Sequence, residues 1–152
     1  MAYSGAVVGP LTRIDDEALN PLGTRRIEQD GKEYIYLQGA ASVVATDWVT
    51  YDEAFLAARL AAAAVGPVAV ALAAVVANKF GWFQIAGAVS ANSVDDNADN
   101  GKVFATASGG RTDDTAVAGD QVINAIYRSV AASNVATVQL SYPFIGVTDT
   151  DS

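Results

Sequence analysis

The sequence predicts an all-β protein: a single-domain β-barrel or β-sandwich of about seven to nine short strands, with an extended N-terminal arm. Three observations support this fold class. Short runs that alternate between large and small or polar residues recur at near-regular spacing, with turn-forming residues between them. The thirty alanines favour helix by propensity, but they are interleaved with Val, Thr, Gly, Tyr and Phe, and long 3.6-residue stripes are rare. The length of 152 residues suits one domain with a sizeable core.

The clearest alternation lies within an uncharged tract, Leu60–Ala77, whose eighteen residues raise the question of a membrane span. Most of these residues are alanines, which drive membrane insertion weakly, and Gly66-Pro67 interrupts the tract. Within it, Val68–Ala73 alternates between large and small side chains with the period of a β-strand. We therefore predict a turn at Gly66-Pro67, a buried strand over Val68–Ala73, and no membrane partner.

The ends of the chain differ in composition from its middle. Residues 1–33 contain isolated prolines, many charges and no sustained period, which predicts an extended arm with one short strand near Ala6–Val8. An arm of this kind either binds a neighbouring molecule or stays disordered until it binds. Residues 34–145 are predicted to form the β domain, and residues 146–152 a polar tail.

The first predicted strand of the β domain is Tyr34–Gln38. Its period places Tyr34 and Tyr36 on one face and Ile35 and Leu37 on the other. The glycine that follows suggests a bulge or a bend.

Further strands follow along the β domain. The segment EAFLAARLAAAA fits either a helix or a strand, and its β neighbours favour a strand. In GWFQIAGAVSA, Trp82 and Gln84 face away from Phe83 and Ile85, and Pro143 marks an edge or a strand end. The other strands are predicted over Trp48–Tyr51 and within KVFATAS, QVINAIYRS and NVATVQLSYPF.

Composition also narrows the function. The chain has no histidine and no cysteine, which removes the commonest general base and the usual thiolate and imidazole metal ligands. We therefore expect a protein that is not an enzyme and needs no cofactor, although catalysis by carboxylates or lysine stays open. The formal net charge of −8 argues against a nucleic-acid partner.

Five residues are candidates for docking to another protein: Arg25, Arg26, Trp48, Trp82 and Phe83. The Arg25-Arg26 doublet could bind a partner carboxylate on an otherwise acidic chain. The three aromatic residues could anchor an interface, as exposed aromatic side chains often do. The alternatives are an incidental exposed arginine pair and aromatic side chains of the core.

Two acidic patterns are weaker candidates. Asp95-x-Asn97-x-Asp99-x-Gly101 has the alternating oxygens of a calcium loop, but its sixth and twelfth positions hold Asn and Thr instead of Gly and Glu. The clusters at 15–17 and 113–114 consist of adjacent residues, whose side chains point to opposite faces of a strand. We interpret these patterns as a solvated turn and as surface charge.

Three segments resemble small virion proteins of tailed bacteriophages: EYIYLQGAASVVATDWVTYD, AVGPVAVALAAVVANKFGWFQIAGAVSA and DDTAVAGDQVINA. Together they span roughly residues 33–125, and the first thirty or so residues lie outside the resemblance. The resemblance implies a structural component of the particle, most like a head decoration (cement) protein on the outer surface of the capsid.

Such a protein has the major capsid protein as its partner and stabilises the shell by bridging capsid subunits. The resemblance also implies a homo-oligomer, with a trimer favoured, because decoration proteins occupy symmetric positions. Two alternatives stay open: a structural component of the tail or neck, and a module that binds a host surface or a glycan.

Overall fold

Ten strands in one antiparallel sheet form the part of the chain that the computed structural model describes, residues 9–94 and 97–146. No helix occurs in these residues, so the predicted all-β, single-domain fold is confirmed. The predicted strand near Ala6–Val8 and the tail beyond Gly146 lie outside them. The strands are β1 Arg25–Ile27, β2 Glu33–Gln38, β3 Trp48–Tyr51, β4 Ala57–Arg59, β5 Gly66–Ala71, β6 Phe80–Asn92, β7 Lys102–Ala105, β8 Thr112–Asp113, β9 Gln121–Tyr127 and β10 Val135–Ile145.

The two longest strands, β6 and β10, join two curled halves of the sheet. The first part of β6 pairs with β2 and β5, and its second part pairs with β10. Strands β3 and β4 extend the first half beyond β5, and a bridge between Gln38 and Leu56 brings β4 back to β2. In the second half β10 is followed by β9, β7 and β8, and a bridge between Ser93 and Thr112 brings β8 back to the end of β6.

Strand β5 lies between the two main cores, and its alternation explains why. Its valines Val68 and Val70 belong to the core of the second half, together with Trp48. Its alanines Ala69 and Ala71 belong to the core of the first half. The predicted alternation of large and small side chains is confirmed, because a strand buried on both faces still alternates when the two cores differ in available volume.

The predicted faces of β2 are also confirmed. Ile35 and Leu37 lie in the core of the first half, whereas Tyr34 and Tyr36 lie on the opposite face with Trp82. The segment 9–24 covers this opposite face, where Leu11 and Leu22 pack against the aromatic side chains. The described part of the predicted arm is therefore packed on the chain's own β domain.

A buried carboxylate fixes that segment in place. Asp15 exchanges two backbone hydrogen bonds with Phe80, of 2.8 and 3.0 Å. Its side chain accepts hydrogen bonds from the Tyr36 hydroxyl at 2.6 Å and from Arg13 Nε at 2.8 Å. The interpretation of residues 15–17 as surface charge is thus wrong for Asp15, because a carboxylate with these partners can be buried.

Two bulges change which residues face the core in the second half. Asn124 in β9 and Tyr142 in β10 both have positive φ, and the pairing register shifts at each of them. As a result Val122 and Tyr127 both point into the core, although an unbroken alternation places them on opposite faces. Pro143 lies inside β10 at this irregularity, close to the end of the strand.

The predicted turn at Gly66-Pro67 is wrong, because β5 already begins at Gly66. Proline is tolerated there since it is the second residue of the strand. The preceding turn lies at Ala62-Ala63, and Ala63 takes a φ of 63° that alanine rarely adopts. The carboxylate of Asp120 stabilises this turn by accepting a hydrogen bond of 2.7 Å from the Ala63 amide.

Candidate docking surface

The three aromatic docking candidates are core residues in the structure. Trp48, Trp82 and Phe83 are each at most 2% exposed. Trp48 donates a hydrogen bond of 2.9 Å from Nε1 to the carbonyl oxygen of Asn92, and the Tyr36 ring meets that of Trp82 edge-on. The prediction that these aromatic residues dock a partner is therefore wrong, because their side chains offer a partner no surface in the folded chain.

The two arginines of the doublet lie on opposite faces of β1, as adjacent strand residues do. Arg26 is engaged within the chain: its guanidinium donates to the carbonyl oxygen of Gly9 at 2.7 Å and to Glu28 at 3.0 Å, and lies over the Trp82 ring. Arg25 is 47% exposed, and its nearest carboxylate oxygen is Glu33 Oε1 at 3.5 Å. Of the two, only Arg25 presents its guanidinium to solvent.

Arg25, Glu33 and Tyr142 form one cluster, brought together from β1, β2 and β10. The Glu33 side chain is 8% exposed, and its carboxylate accepts a short hydrogen bond from the Tyr142 hydroxyl. The Arg25 guanidinium lies 5.9 Å from the centre of the Tyr142 ring, within the range of a cation–π interaction. The cluster therefore holds an exposed tyrosine and an exposed arginine around a buried carboxylate.

Two tyrosine pKa values reflect the charge of this cluster. The hydrogen bond to the Glu33 carboxylate raises the pKa of Tyr142, because ionisation would place two negative oxygens together. Burial raises the pKa of Tyr51, which also feels the charges of Arg25 and Glu33. Both hydroxyls are therefore neutral hydrogen-bonding groups at neutral pH.

An apolar groove is continuous with the cluster. Phe144 pairs with Pro67 across β10 and β5, and Pro67 lines a groove of about 480 Å³ between the β3–β4 hairpin and the loop before β5. Val65, which is 74% exposed, and Leu56 form part of its wall. The groove and the Arg25 cluster share Tyr51, which lines the groove and is close enough to Arg25 to feel its charge.

We call the continuous surface formed by Arg25, Tyr142, Phe144, Val65 and Leu56 the docking surface. Its Arg25, Tyr142 and Phe144 are of residue types that are enriched in protein interfaces, and its exposed aliphatic side chains extend the apolar area beside them. Arg25 is the only residue of this surface that the sequence analysis identified. A signal for Tyr142 and Phe144 lies in the Tyr-Pro-Phe sequence at 142–144, because two aromatic residues spaced two apart fall on the same face of a strand, and the proline between them marks an edge or a strand end.

The calcium-like pattern has a structural role where it is described. Asn97 is buried, and its side-chain oxygen accepts a hydrogen bond of 2.7 Å from the Ala131 amide. Its amide nitrogen donates to the carbonyl oxygen of Ser129 at 2.9 Å. Asp95 lies outside the described residues. Across the ranges 9–94 and 97–146, no group of three or more His, Cys, Asp or Glu side chains is placed to hold a metal ion.

Comparisons with protein-family models, with curated proteins and with solved structures find no match for this chain. In the portion of the chain that the structure describes, no helix has the length and apolar character of a membrane-spanning helix.

Proposed function

We propose that this chain is a virion structural protein of a tailed bacteriophage that binds the outer surface of the capsid and stabilises it by bridging capsid subunits. The observation that carries this proposal is the docking surface, which presents Tyr142, Phe144, Val65 and Leu56 to solvent on one continuous side of a β domain. Surfaces of this kind are typical of sites where another protein binds. The resemblance of three segments to phage virion proteins supports the major capsid protein as the partner.

A rigid domain suits this mechanical role. A protein that bridges subunits adds interface area, and it resists displacement only if it does not deform under load. Strands β5 and β6 each contribute to more than one core, so the two halves of the sheet support each other. The formal net charge of −8 makes copies of the chain repel one another, which helps to keep particles that carry it apart in solution.

The test uses purified particles from which the protein has been removed and to which it is then returned. We expect stripped particles to lose their DNA at a lower temperature, and the returned wild-type chain to restore their resistance. Equal heat resistance of stripped and complete particles contradicts the cementing role. Immunogold labelling of intact virions on the tail or neck would place the chain there instead and refute binding to the capsid surface.

The docking surface itself is tested with a matched pair of variants. Val65→Asp places a charge on the docking surface, and Val130→Asp places the same charge on another exposed valine, 58% exposed, in the loop before β10. The two sites lie near opposite ends of β10, roughly 35 Å apart along the strand. We expect Val65→Asp to weaken binding to stripped particles at least about tenfold and Val130→Asp to bind like the wild type. Equal binding of both variants refutes this docking surface.

Binding to a glycan is the competing explanation for an exposed tyrosine beside a groove. Screening the wild-type chain and Val65→Asp on a glycan array separates the two functions. Specific glycan binding that Val65→Asp abolishes, together with unchanged affinity for stripped particles, would replace the capsid proposal.

A further inference from the structure

We propose that Arg25 is the receptor for a carboxylate on the docking partner, and that Glu33 and Tyr142 position its guanidinium for that contact. This inference rests on the proposed docking function, which it deepens by naming the chemistry of the partner's contact group. A partner that fits carries an Asp, a Glu or a chain-terminal carboxylate next to apolar side chains.

The donors of Arg25 are available. A guanidinium has five N–H groups, and the only ion pair of Arg25 in the described part of the chain is the contact with Glu33 at 3.5 Å. That distance is at the outer limit for a hydrogen bond, so the contact uses little of the arginine's capacity. The adjacent Arg26 provides the comparison, because its 12% exposure and its bonds of 2.7 and 3.0 Å leave it engaged within the chain.

The surroundings attract the guanidinium to one position without covering it. Tyr142 carries its ring to within 5.9 Å of the guanidinium carbon from a backbone φ of 54°, a conformation that a tyrosine seldom adopts. Its hydroxyl is tied to the buried Glu33 carboxylate, which attracts the same guanidinium. An arginine held by a ring and a fixed charge loses less side-chain entropy when it binds, which increases its affinity for a partner group.

The ligand chemistry follows from the charge and from the neighbours. One forked guanidinium matches the two oxygens of one carboxylate, with two parallel N–H···O bonds. A polyanion such as nucleic acid meets repulsion from a chain with a formal net charge of −8. Ile27 lies on the same face of β1 as Arg25 and is exposed, and the Tyr142 ring lies on another side, so apolar surface borders the arginine. The arrangement therefore suits a carboxylate within an apolar segment of a protein.

The first experiment tests the receptor without particles. Sodium propionate serves as the probe, because it combines a carboxylate with a short alkyl chain, and sodium chloride at equal ionic strength is the control. In two-dimensional NMR spectra we expect propionate to shift the Nε–H signal of Arg25 in a saturable manner, and to shift that of the exposed Arg128 no more than chloride does. Equal shifts with chloride, or equal shifts at both arginines, would overturn the assignment.

The second experiment measures binding to stripped particles. Arg25→Lys keeps the charge beside Glu33 but removes the fork, and we expect it to bind about 10- to 100-fold more weakly, as expected for the loss of a charge-assisted hydrogen bond. Tyr142→Phe keeps the ring on the docking surface and releases only its hydrogen bond to Glu33, so we expect a smaller loss than in Arg25→Lys. Binding equal to that of the wild type would show that this hydrogen bond does not position Arg25. Arg128→Gln removes an exposed arginine elsewhere and should bind like the wild type.

The two proposals fail in different ways. If no variant and no wild-type chain binds particles, the capsid function is wrong, and the propionate titration still decides the chemistry of Arg25. If the wild type binds and Arg25→Lys binds equally well with an unchanged melting temperature, the carboxylate receptor is wrong while the capsid function stands.

Discussion

Replacing Tyr36 by phenylalanine tests how the segment before β1 is held on the domain. The ring of Tyr36 is fully buried, and the substitution keeps it. The hydroxyl that is lost donates to Asp15 Oδ2 at 2.6 Å and accepts a hydrogen bond from the Leu19 amide at 3.2 Å. The variant therefore removes two contacts to the covering segment with almost no change in packing volume.

The size of the effect follows from those two contacts. A hydrogen bond to a charged group contributes about 1.5–3 kcal/mol to stability, and Asp15 is only 6% exposed, so water replaces the lost donor poorly. Arg13 Nε still donates to the carboxylate at 2.8 Å, which limits the loss. We expect the free energy of unfolding to fall by about 2–3 kcal/mol.

The assay combines urea unfolding with amide hydrogen exchange. We expect the amides of Asp15 and Leu19 to exchange faster in Tyr36→Phe, while those of β5 keep their protection relative to global unfolding. Tyr127→Phe is the matched control, because its buried hydroxyl bonds only to the neutral hydroxyls of Thr112 and Ser93, at 2.6 and 3.2 Å. That variant should lose about 1 kcal/mol. A loss in Tyr36→Phe no larger than in the control, with unchanged exchange at residues 13–22, would refute the reasoning.

The same hydroxyl predicts a pH dependence. Burial and the hydrogen bond to the Asp15 carboxylate raise the pKa of Tyr36 from 10.0 to about 12. Because the folded-state pKa is the higher one, this contribution to stability is complete below about pH 10 and is lost as the pH rises through about 12. The contribution amounts to about 2–3 kcal/mol. Urea unfolding at alkaline pH should therefore show a smaller loss of stability with rising pH in Tyr36→Phe than in the wild type. An identical alkaline loss in both proteins contradicts this account.

Two further substitutions test buried contacts. Asp47→Asn replaces a fully buried carboxylate, which accepts hydrogen bonds from Arg59 Nε at 2.9 Å and Asn92 Nδ2 at 2.7 Å, by a neutral amide. We expect the free energy of unfolding, measured in urea, to fall by about 3–5 kcal/mol. A loss below about 1 kcal/mol would contradict a structural role for this charge. Gly39→Ala places a methyl group 1.8 Å from the Val75 carbonyl oxygen and should prevent stable folding. In Gly31→Ala the added methyl group meets no atom within 4 Å, so we expect a loss of only about 1–2 kcal/mol in stability, caused by the φ of 85°. Equal circular dichroism melting temperatures for the two glycine variants would refute that contrast.

The strand faces that could be predicted from sequence lie in stretches without an internal residue of positive φ. Strands β2, β3 and β5 lie in the sheet with a regular alternation, so the period of two found Tyr34 and Ile35 on opposite faces. The break in β9 could not be found in this way. Asn124 has a φ of 64°, which asparagine tolerates but does not require, and the register of β9 shifts there against both β7 and β10.

The docking surface was beyond prediction for a different reason. Exposure of an aromatic residue depends on which strands meet, and sequence spacing does not contain that information. Tyr142 and Glu33, whose side chains meet, are 109 positions apart. Large rings such as those of Trp48 and Trp82 can anchor an interface, but their large apolar area also favours burial in the chain's own core, where the structure places both.

Strand β5 makes the chain behave as one cooperative body. Its valines complete one core and its alanines complete the other. Unfolding of either half would therefore expose one face of a strand that the other half still needs. Unfolding of one half thus gains little conformational entropy, while it exposes residues of both cores to water. We therefore expect the two halves of the sheet to open together, so that a protease or a pulling force meets no persistent form in which only one half has unfolded.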